Sequence, residues 1–308
     1  MSEAQTVLAA RDLSRHYSVS QGFGKPKATV RALNGVSFEL QQGKTLAIVG
    51  ESGCGKSTLA RQLTLIEAPT GGELNINGAA TTNLGKAALK HLRTEIQMVF
   101  QNPYASLNPR HTIGFQLAEP LSIHSKLGKA EKQEQVVDMM KRVGLRPEHV
   151  GRYPHMFSGG QRQRIAIARA LALNPKVVVA DESVSALDVS IQAQIVNLML
   201  DLQRELGVAF LFISHDMAVV ERISHRVAVM FLGQIVEIGP RRAIFENPQH
   251  PYTKKLMAAV PIADPARRHL KRVLLEGEIP SPIRAVGDEP TVLPMIEVGP
   301  GHFVAAPV

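Results

Sequence analysis

Gly50-Glu51-Ser52-Gly53-Cys54-Gly55-Lys56-Ser57-Thr58 is the stretch on which the fold turns. It fits G-x-x-x-x-G-K-[ST], the pattern of a loop that cradles phosphates. Thr45-Leu46-Ala47-Ile48-Val49 ahead of it is a short apolar run and predicts a buried strand. Thr58 to Leu65 behind it predicts the start of a helix. Glycines let the backbone turn tightly and aim successive N–H groups at one anion. The helix start adds the positive end of its dipole. Lys56 is then placed for the β- and γ-phosphates and the Ser57 hydroxyl for Mg²⁺. Cys54 holds a free position of the loop and reads as a small filler, not as a redox or catalytic thiol.

The chain has 308 residues, enough for one large or two modest domains with a sizeable core. Hydrophobic residues at 44% and charged residues at 20% make an ordinary globular balance. No apolar run reaches membrane-spanning length and no signal-peptide pattern opens the chain, so a cytosolic setting is expected. One cysteine excludes intramolecular disulfides and any all-cysteine metal or cluster site within the chain. The formal charge of +8 fits a nucleic acid, an anionic membrane surface or an unspecialised basic surface. Nucleic acid ranks below the other two, because the charge is scattered and aromatics for stacking are few.

Outward from the loop, 7–10, 13–19 and 30–40 predict short antiparallel strands, with a Gly/Lys/Pro-rich loop over 21–27. Tyr17 lies on one of them, exposed or half-exposed. It could stack on an adenine or be an ordinary surface or core tyrosine. Residues 73–78 and 96–101 predict strands, the second ending in Gln101. Residues 112–150 carry helical periodicity. Ser158-Gly159-Gly160-Gln161 opens another helix, with Ser158 as N-cap and glycines that expose the first N–H groups.

Lys176 to Glu182 is an apolar run ending in two carboxylates, the mark of a central parallel strand whose C-terminal end meets ligand. Asp181 suits Mg²⁺ there, and Glu182 suits orienting or deprotonating a water. Val208 to Ile213 predicts a further buried strand, with His215 just beyond it. His215 could donate to a phosphate oxygen; alone it would be a loop histidine. Residues 227–238 predict a hairpin around Leu232-Gly233, and 253–260 a short helix. The tail, 280–308, is rich in Pro and Gly with little periodicity.

Tyr17, Gly50 to Ser57, Gln101, Ser158 to Gln161, Val177 to Glu182, Ser185 to Asp188 and His215 come in the order of the nucleotide-binding subunit of an ABC transporter, which this chain resembles over residues 7 to about 282. Phe100 to Arg110, Arg152 to Ser158 and Asn247 to Thr253 resemble the dipeptide/oligopeptide importer branch. Within it the chain is most similar to the second ATPase of bacterial dipeptide permeases; nickel and glutathione importers share much of the pattern.

The resemblance implies an α/β fold: a P-loop, RecA-like core with a parallel central sheet, an antiparallel β subdomain and a helical signature-motif subdomain. It implies an ATPase domain over 7–262, with the helical part inserted at about 102–165, and a degenerate, partly disordered C-terminal extension over 263–308. It implies that Tyr17 stacks on adenine and that Gly50, Glu51, Ser52, Gly53, Cys54, Gly55, Lys56, Ser57 and Thr58 wrap the phosphates. Ser57, Gln101 and Asp181 would hold Mg²⁺. Glu182 would be the general base, assisted by His215 and Gln101. Ser158, Gly159, Gly160 and Gln161 would contact ATP bound to a partner ATPase, and Asp188 would bridge the pair.

The implied partners are a second ABC ATPase, two transmembrane permeases and, indirectly, a periplasmic peptide-binding protein. The implied location is the cytoplasmic face of a bacterial inner membrane, and no nucleic acid is expected. Two departures stand out. Ser183 replaces the usual proline. The tail lacks the branch's cysteines, with Gly301 to Ala306 resembling their segment's far end, so no iron–sulfur cluster is expected.

Overall fold

The computed structural model describes residues 5–20, 28–82, 84–102, 106–259, 283–284 (backbone only) and 292–305. β1 (Thr6–Val19) and β2 (Ala28–Gln41) form a long antiparallel pair. The two strands expected over 7–10 and 13–19 are thus one bent strand. Its bend lies at Asp12, with φ 47°, where the register with β2 shifts between Ala10 and Leu13. A bulge of this kind turns a strand without ending it. β3 (Thr45–Val49) follows, then α1 (Lys56–Leu63), which starts earlier than Thr58.

Next in the chain are β4 (Gly71–Ile76), β5 (Ala79–Ala80), α2 (Lys86–Glu95) and β6 (Ile96–Val99). The helical stretch contributes α3 (Ile113–His124), α4 (Lys129–Arg142) and α5 (Gly159–Leu171). Then come β7 (Val177–Asp181), α6 (Val189–Leu206), β8 (Ala209–Ile213) and α7 (Met217–Ile223). β9 (Arg226–Phe231), β10 (Gln234–Pro240), α8 (Arg241–Glu246) and α9 (Pro251–Ala258) follow. β11 (Ile283–Arg284), β12 (Met295–Gly299) and β13 (His302–Ala305) close the described part.

The main sheet has the order β12-β13-β10-β9-β3-β8-β7-β6. From β9 to β6 it is parallel; β10, β13 and β12 add antiparallel strands. β3, β7 and β8 are buried along their whole length, as uninterrupted apolar runs in a parallel sheet require. Ile48 and Asp181 both pair with Ile213, and Ala180 pairs with Val99. This register brings the C-terminal ends of β3, β7, β8 and β6 to one edge, where α/β sheets bind ligands.

The second sheet, β11-β2-β1-β4-β5, packs Leu8, Leu13 and Ile76 against Ile48 of β3 and Leu59 of α1. On the opposite face α3, α4, α5 and α6 cover Val178, Phe210 and Phe212. Burying each of those phenylalanines stabilises the fold by about 2–3 kcal/mol.

The tail holds an element that its weak periodicity did not predict. Residues 295–305 form a hairpin, and β13 pairs with β10 through Val304 and Phe303. That covers the edge β10 would otherwise expose. The Gly277 to Pro282 stretch lies outside the described residues.

Two histidines whose rings accept backbone N–H bonds make folding sensitive to acid, His250 half-buried and His225 with part of its residue exposed. His225 Nδ1 accepts from the Thr45 N–H at 3.1 Å, and His250 Nδ1 accepts from the Tyr252 N–H at 3.1 Å. Burial, first, holds both imidazoles below the ordinary histidine range; Lys44 and Arg241 add to this at His225, while Glu237 opposes it at His250. The unfolded chain therefore binds protons near pH 6.5 that the folded chain refuses, so stability falls as pH drops below about 6.5. Thermal unfolding is expected to give a lower midpoint at pH 5.5 than at pH 8. An equal or higher midpoint at pH 5.5 would count against these two roles.

Candidate nucleotide site

The loop between β3 and α1 is shaped by glycine and braced from behind. Gly55, at φ 106°, is the N-cap of α1, and a Cβ there would lie 2.2 Å from the Ala32 carbonyl oxygen. The turn between β9 and β10, Leu232-Gly233, has φ values of 47° and 81°. Such a turn matches the strands' twist. It presents the Gly233 N–H to the Cys54 carbonyl at 3.0 Å, while the Gly233 carbonyl accepts from Asn34 at 2.8 Å.

Lys56 is buried, and its ammonium donates to the carbonyls of Gly50 at 2.7 Å and Glu51 at 2.8 Å. Cys54 is buried beside it. Burial pushes the thiol up, against the opposing pull of Lys56, as suits a filler. A cavity of about 180 Å³ opens over the loop, between Arg31 and Gly233 on one side and Ser52, Ser57, Thr58 and Glu182 on the other.

The carboxylates meet the loop from β7. Asp181 is buried, with the Ser57 hydroxyl close enough to favour its charged form. Desolvation raises its pKa above the usual carboxylate range; Glu182 adds to the rise, and Ser57, Lys56 and Arg61 oppose it. Its Oδ1 has no hydrogen-bond partner. A buried carboxylate oxygen left in that state suits a cation, so the residues fit Mg²⁺. Among the described residues no group of three or more His, Cys, Asp or Glu side chains converges on a metal position. A divalent ion here would therefore lean on Asp181, Ser57 and oxygens of the nucleotide itself.

Glu182 follows at φ 44°, its N–H donating to Ile213 O at 2.9 Å and its carbonyl accepting from the Ser185 hydroxyl at 2.9 Å. This locked backbone aims the carboxylate out of the strand end. Gln101 Nε2 donates to its Oε2 at 2.7 Å, and His215 Nδ1 stands 3.5 Å from Oε1. Gln101, Glu182 and His215, called from three separate strands, thus meet at one point. The Ser183 hydroxyl is buried without a partner and adds no polar contact to the site.

Tyr17 pairs across the sheet with Val30, which lines the loop's cavity. Its hydroxyl donates to Glu67 Oε2 at 2.5 Å, and the Arg15 guanidinium lies 4.7 Å from the ring centre. Arg61 and Arg15 flank Glu67, and the tyrosine hydroxyl is the main cause of its lowered pKa.

Ser158, Gly159, Gly160 and Gln161 do not join this cluster; none lines the cavity over the loop. They form a reciprocal cap at the exposed start of α5: the Gln161 N–H donates to Ser158 Oγ at 3.3 Å, and the Ser158 N–H donates to Gln161 Oε1 at 3.0 Å. Asp188 stands exposed at the N-cap of α6 beside Val189, which is 82% exposed.

Sequence reasoning missed three supports: Glu67 under Tyr17, Gly233 behind the loop, and Tyr252, whose hydroxyl accepts from the Glu51 N–H at 3.0 Å. Of these only Gly233 carried a local signal, a Leu-Gly turn between two strands.

Residues 33–185 match the ABC transporter family, and residues 236–287 match the oligopeptide/dipeptide transporter C-terminal region. A relative from Pectobacterium atrosepticum, named as glutathione import ATP-binding protein GsiA, is 60% identical over 98% of this chain. A relative of the same name from Salmonella paratyphi A is 58% identical over 99% of it. The chain spans about half the length, 49%, of each of these relatives.

Among solved structures, the dimeric ATP-binding cassette MJ0796 bound to ADP and Pi aligns with a TM-score of 0.67 and 28% identity, covering 76% of this chain and 99% of that one. CbiO1 from Clostridium perfringens, part of the ABC transporter complex cbiONQ, aligns with a TM-score of 0.68 and 27% identity, covering 80% and 92%. A phosphate loop, a capped signature helix and a carboxylate-ended strand, carried on this sheet order and matched by both family regions, lead to one conclusion: the chain belongs to the ABC transporter ATPases, in the branch that carries the oligopeptide/dipeptide C-terminal region.

Proposed function

We propose that this chain is the ATP-hydrolysing subunit of a bacterial ABC importer for dipeptides or other short peptides. The observation that carries the reading is the meeting of Gln101, Glu182 and His215 beside Lys56, Ser57 and Asp181, while the Ser158 to Gln161 helix start stands apart, with Ser158 exposed and the other three half-buried. One chain then offers half of each of two nucleotide sites. The cassette is read as residues 7–262 and the extension as 263–308.

In this reading the loop N–H groups and Lys56 hold the phosphates and Tyr17 stacks on adenine. Ser57 and Asp181, with Gln101 at the edge, hold Mg²⁺, which neutralises charge on the phosphates when bound. Glu182 accepts a proton from the attacking water, and His215 donates to a phosphate oxygen. Gln101, bonded to the base, passes the state of the site to a membrane subunit. Ser158, Gly159, Gly160 and Gln161 complete the partner ATPase's site.

A groove of about 380 Å³ next to Gln101 supports docking on permeases. Ile66, Phe100 and Ile123 line it and are each about half exposed, with Arg93 and Glu119 at its margins. No helix among the described residues is long and apolar enough to cross a membrane, which suits a subunit held peripherally at the cytoplasmic face by such contacts. The solute stays with the short-peptide class. The relatives' name makes glutathione, itself a short peptide, the first to try.

The test is reconstitution of the chain with a second ATPase and two permeases in vesicles, with a peptide-binding protein supplied outside. ATP turnover and uptake of labelled dipeptide or glutathione should rise together. An assembled complex without ATP turnover would defeat the reading, and salt-sensitive RNA binding at physiological salt would redirect it.

A further inference from the structure

The peptide unit between Gly50 and Glu51 is gripped from both sides. Its carbonyl accepts from the Lys56 ammonium at 2.7 Å, and its N–H donates to the Tyr252 hydroxyl at 3.0 Å. A peptide next to a glycine rotates cheaply, and Gly50 sits at φ 152°, a value side-chain-bearing residues rarely adopt. Rotation would withdraw one of the carbonyls that fix the ammonium and leave a half-buried N–H without its partner. The hydroxyl that opposes rotation comes from α9, outside both the loop and the strand ends.

Tyr252 is well placed to act as a fixed post. It is 9% exposed, and its ring centre lies 4.4 Å from that of Phe231. Burial pushes its phenol up to about 12, so the hydroxyl keeps its proton at any working pH. The turn before α9 is fastened by a wholly buried carboxylate. Glu237 Oε1 accepts from the Gln249 N–H at 2.8 Å and Oε2 from the His250 N–H at 2.9 Å. The same Oε1 meets His302 Nε2 at 2.7 Å. His302 belongs to β13, and Ala305 of that strand packs in the same apolar cluster as Tyr252.

We propose that Tyr252 is a positioning residue for nucleotide binding, holding the Gly50–Glu51 peptide so that Lys56 faces the phosphates, and that the C-terminal hairpin, through His302 and Glu237, holds Tyr252 in place. The proposal rests on the reading of residues 50–58 as an ATP site. It ties nucleotide affinity to the docking of a segment far along the chain, and by linkage nucleotide binding stabilises that docking.

The test uses the full chain with Mg²⁺ and a fluorescent ATP analogue. Tyr252→Phe removes the hydroxyl and keeps the ring. It is expected to weaken analogue binding about three- to tenfold, the size of one lost hydrogen bond, with the thermal midpoint nearly unchanged. Amide exchange in the peptide covering residues 46–56 should quicken without nucleotide, and in the assembled complex KM should rise while kcat holds. Tyr252→Leu, which also loses the ring, should lower the thermal midpoint as well. His302→Ala should weaken binding in the same direction by a smaller factor.

Wild-type affinity and unaltered exchange in Tyr252→Phe would overturn the proposal. Unaltered affinity in His302→Ala would overturn the hairpin's share of it. A wild-type chain that binds no ATP analogue would instead defeat the reading of the loop, and this proposal with it.

Discussion

Glu182→Gln is expected to cut ATP turnover of the assembled complex by about 10²- to 10⁴-fold while leaving ATP bound. The size follows from what is removed. Glutamine keeps the length and one acceptor of Glu182, so the backbone bonds to Ile213 and Ser185 that aim the side chain persist. What disappears is the oxygen that can take a proton. Among the described residues the contacts from Gln101 and His215 converge on that carboxylate, which is why no neighbour should substitute. With hydrolysis blocked, the paired ATPases should stay closed around nucleotide. Phosphate release and size-exclusion of the nucleotide-bound complex read the two effects separately. Turnover near wild type in that complex would remove Glu182 from the role of base.

Alanine at position 55 is expected to abolish measurable nucleotide binding and to destabilise the chain. Gly55 stands at φ 106°, a region that costs a side-chain-bearing residue about 1–3 kcal/mol. The added methyl would also meet the Ala32 carbonyl oxygen at 2.2 Å, so the loop must move off β2 to make room. Moving it pulls the start of α1, and with it Lys56 and Ser57, out of line. Gly53→Ala is the informative comparison. Gly53 has φ 83° but open space around its would-be Cβ, so it should cost only about 1 kcal/mol and weaken nucleotide binding far less. Isothermal titration with ATP and thermal unfolding distinguish them. Equal behaviour of the two variants would mean that the clash with β2 is relieved at little cost.

Much of the fold was legible because its signals are local. Apolar runs at 45–49, 177–180 and 208–213 could only be buried strands, and the residues proposed for the chemistry follow directly at their ends. Ser158 with Gln161 encodes its own cap within four residues, and the structure makes that cap. The tail's hairpin was not legible for the opposite reason. β12 and β13 are short, β13 takes its register from β10 some 65 residues earlier, and the exposed β12 carries almost no periodic signal. Tyr17 was chosen for its ring, yet its hydroxyl is held by Glu67, which no spacing rule connects to it.

By itself the sequence determined that residues 50–58 form a glycine-shaped loop between a strand and a helix, because glycines, lysine and serine at that spacing dictate the loop's own geometry. It also determined that Asp181 and Glu182 end a buried strand. Only the tertiary structure decided that Gln101 and His215 close on Glu182, that the signature cap stays away from this chain's own loop, and that a tyrosine from α9 grips the loop's first peptide. Those contacts join residues tens to hundreds of positions apart. They depend on strand order and on which side chains the packed sheets bring to one edge, and no short window of sequence holds that information.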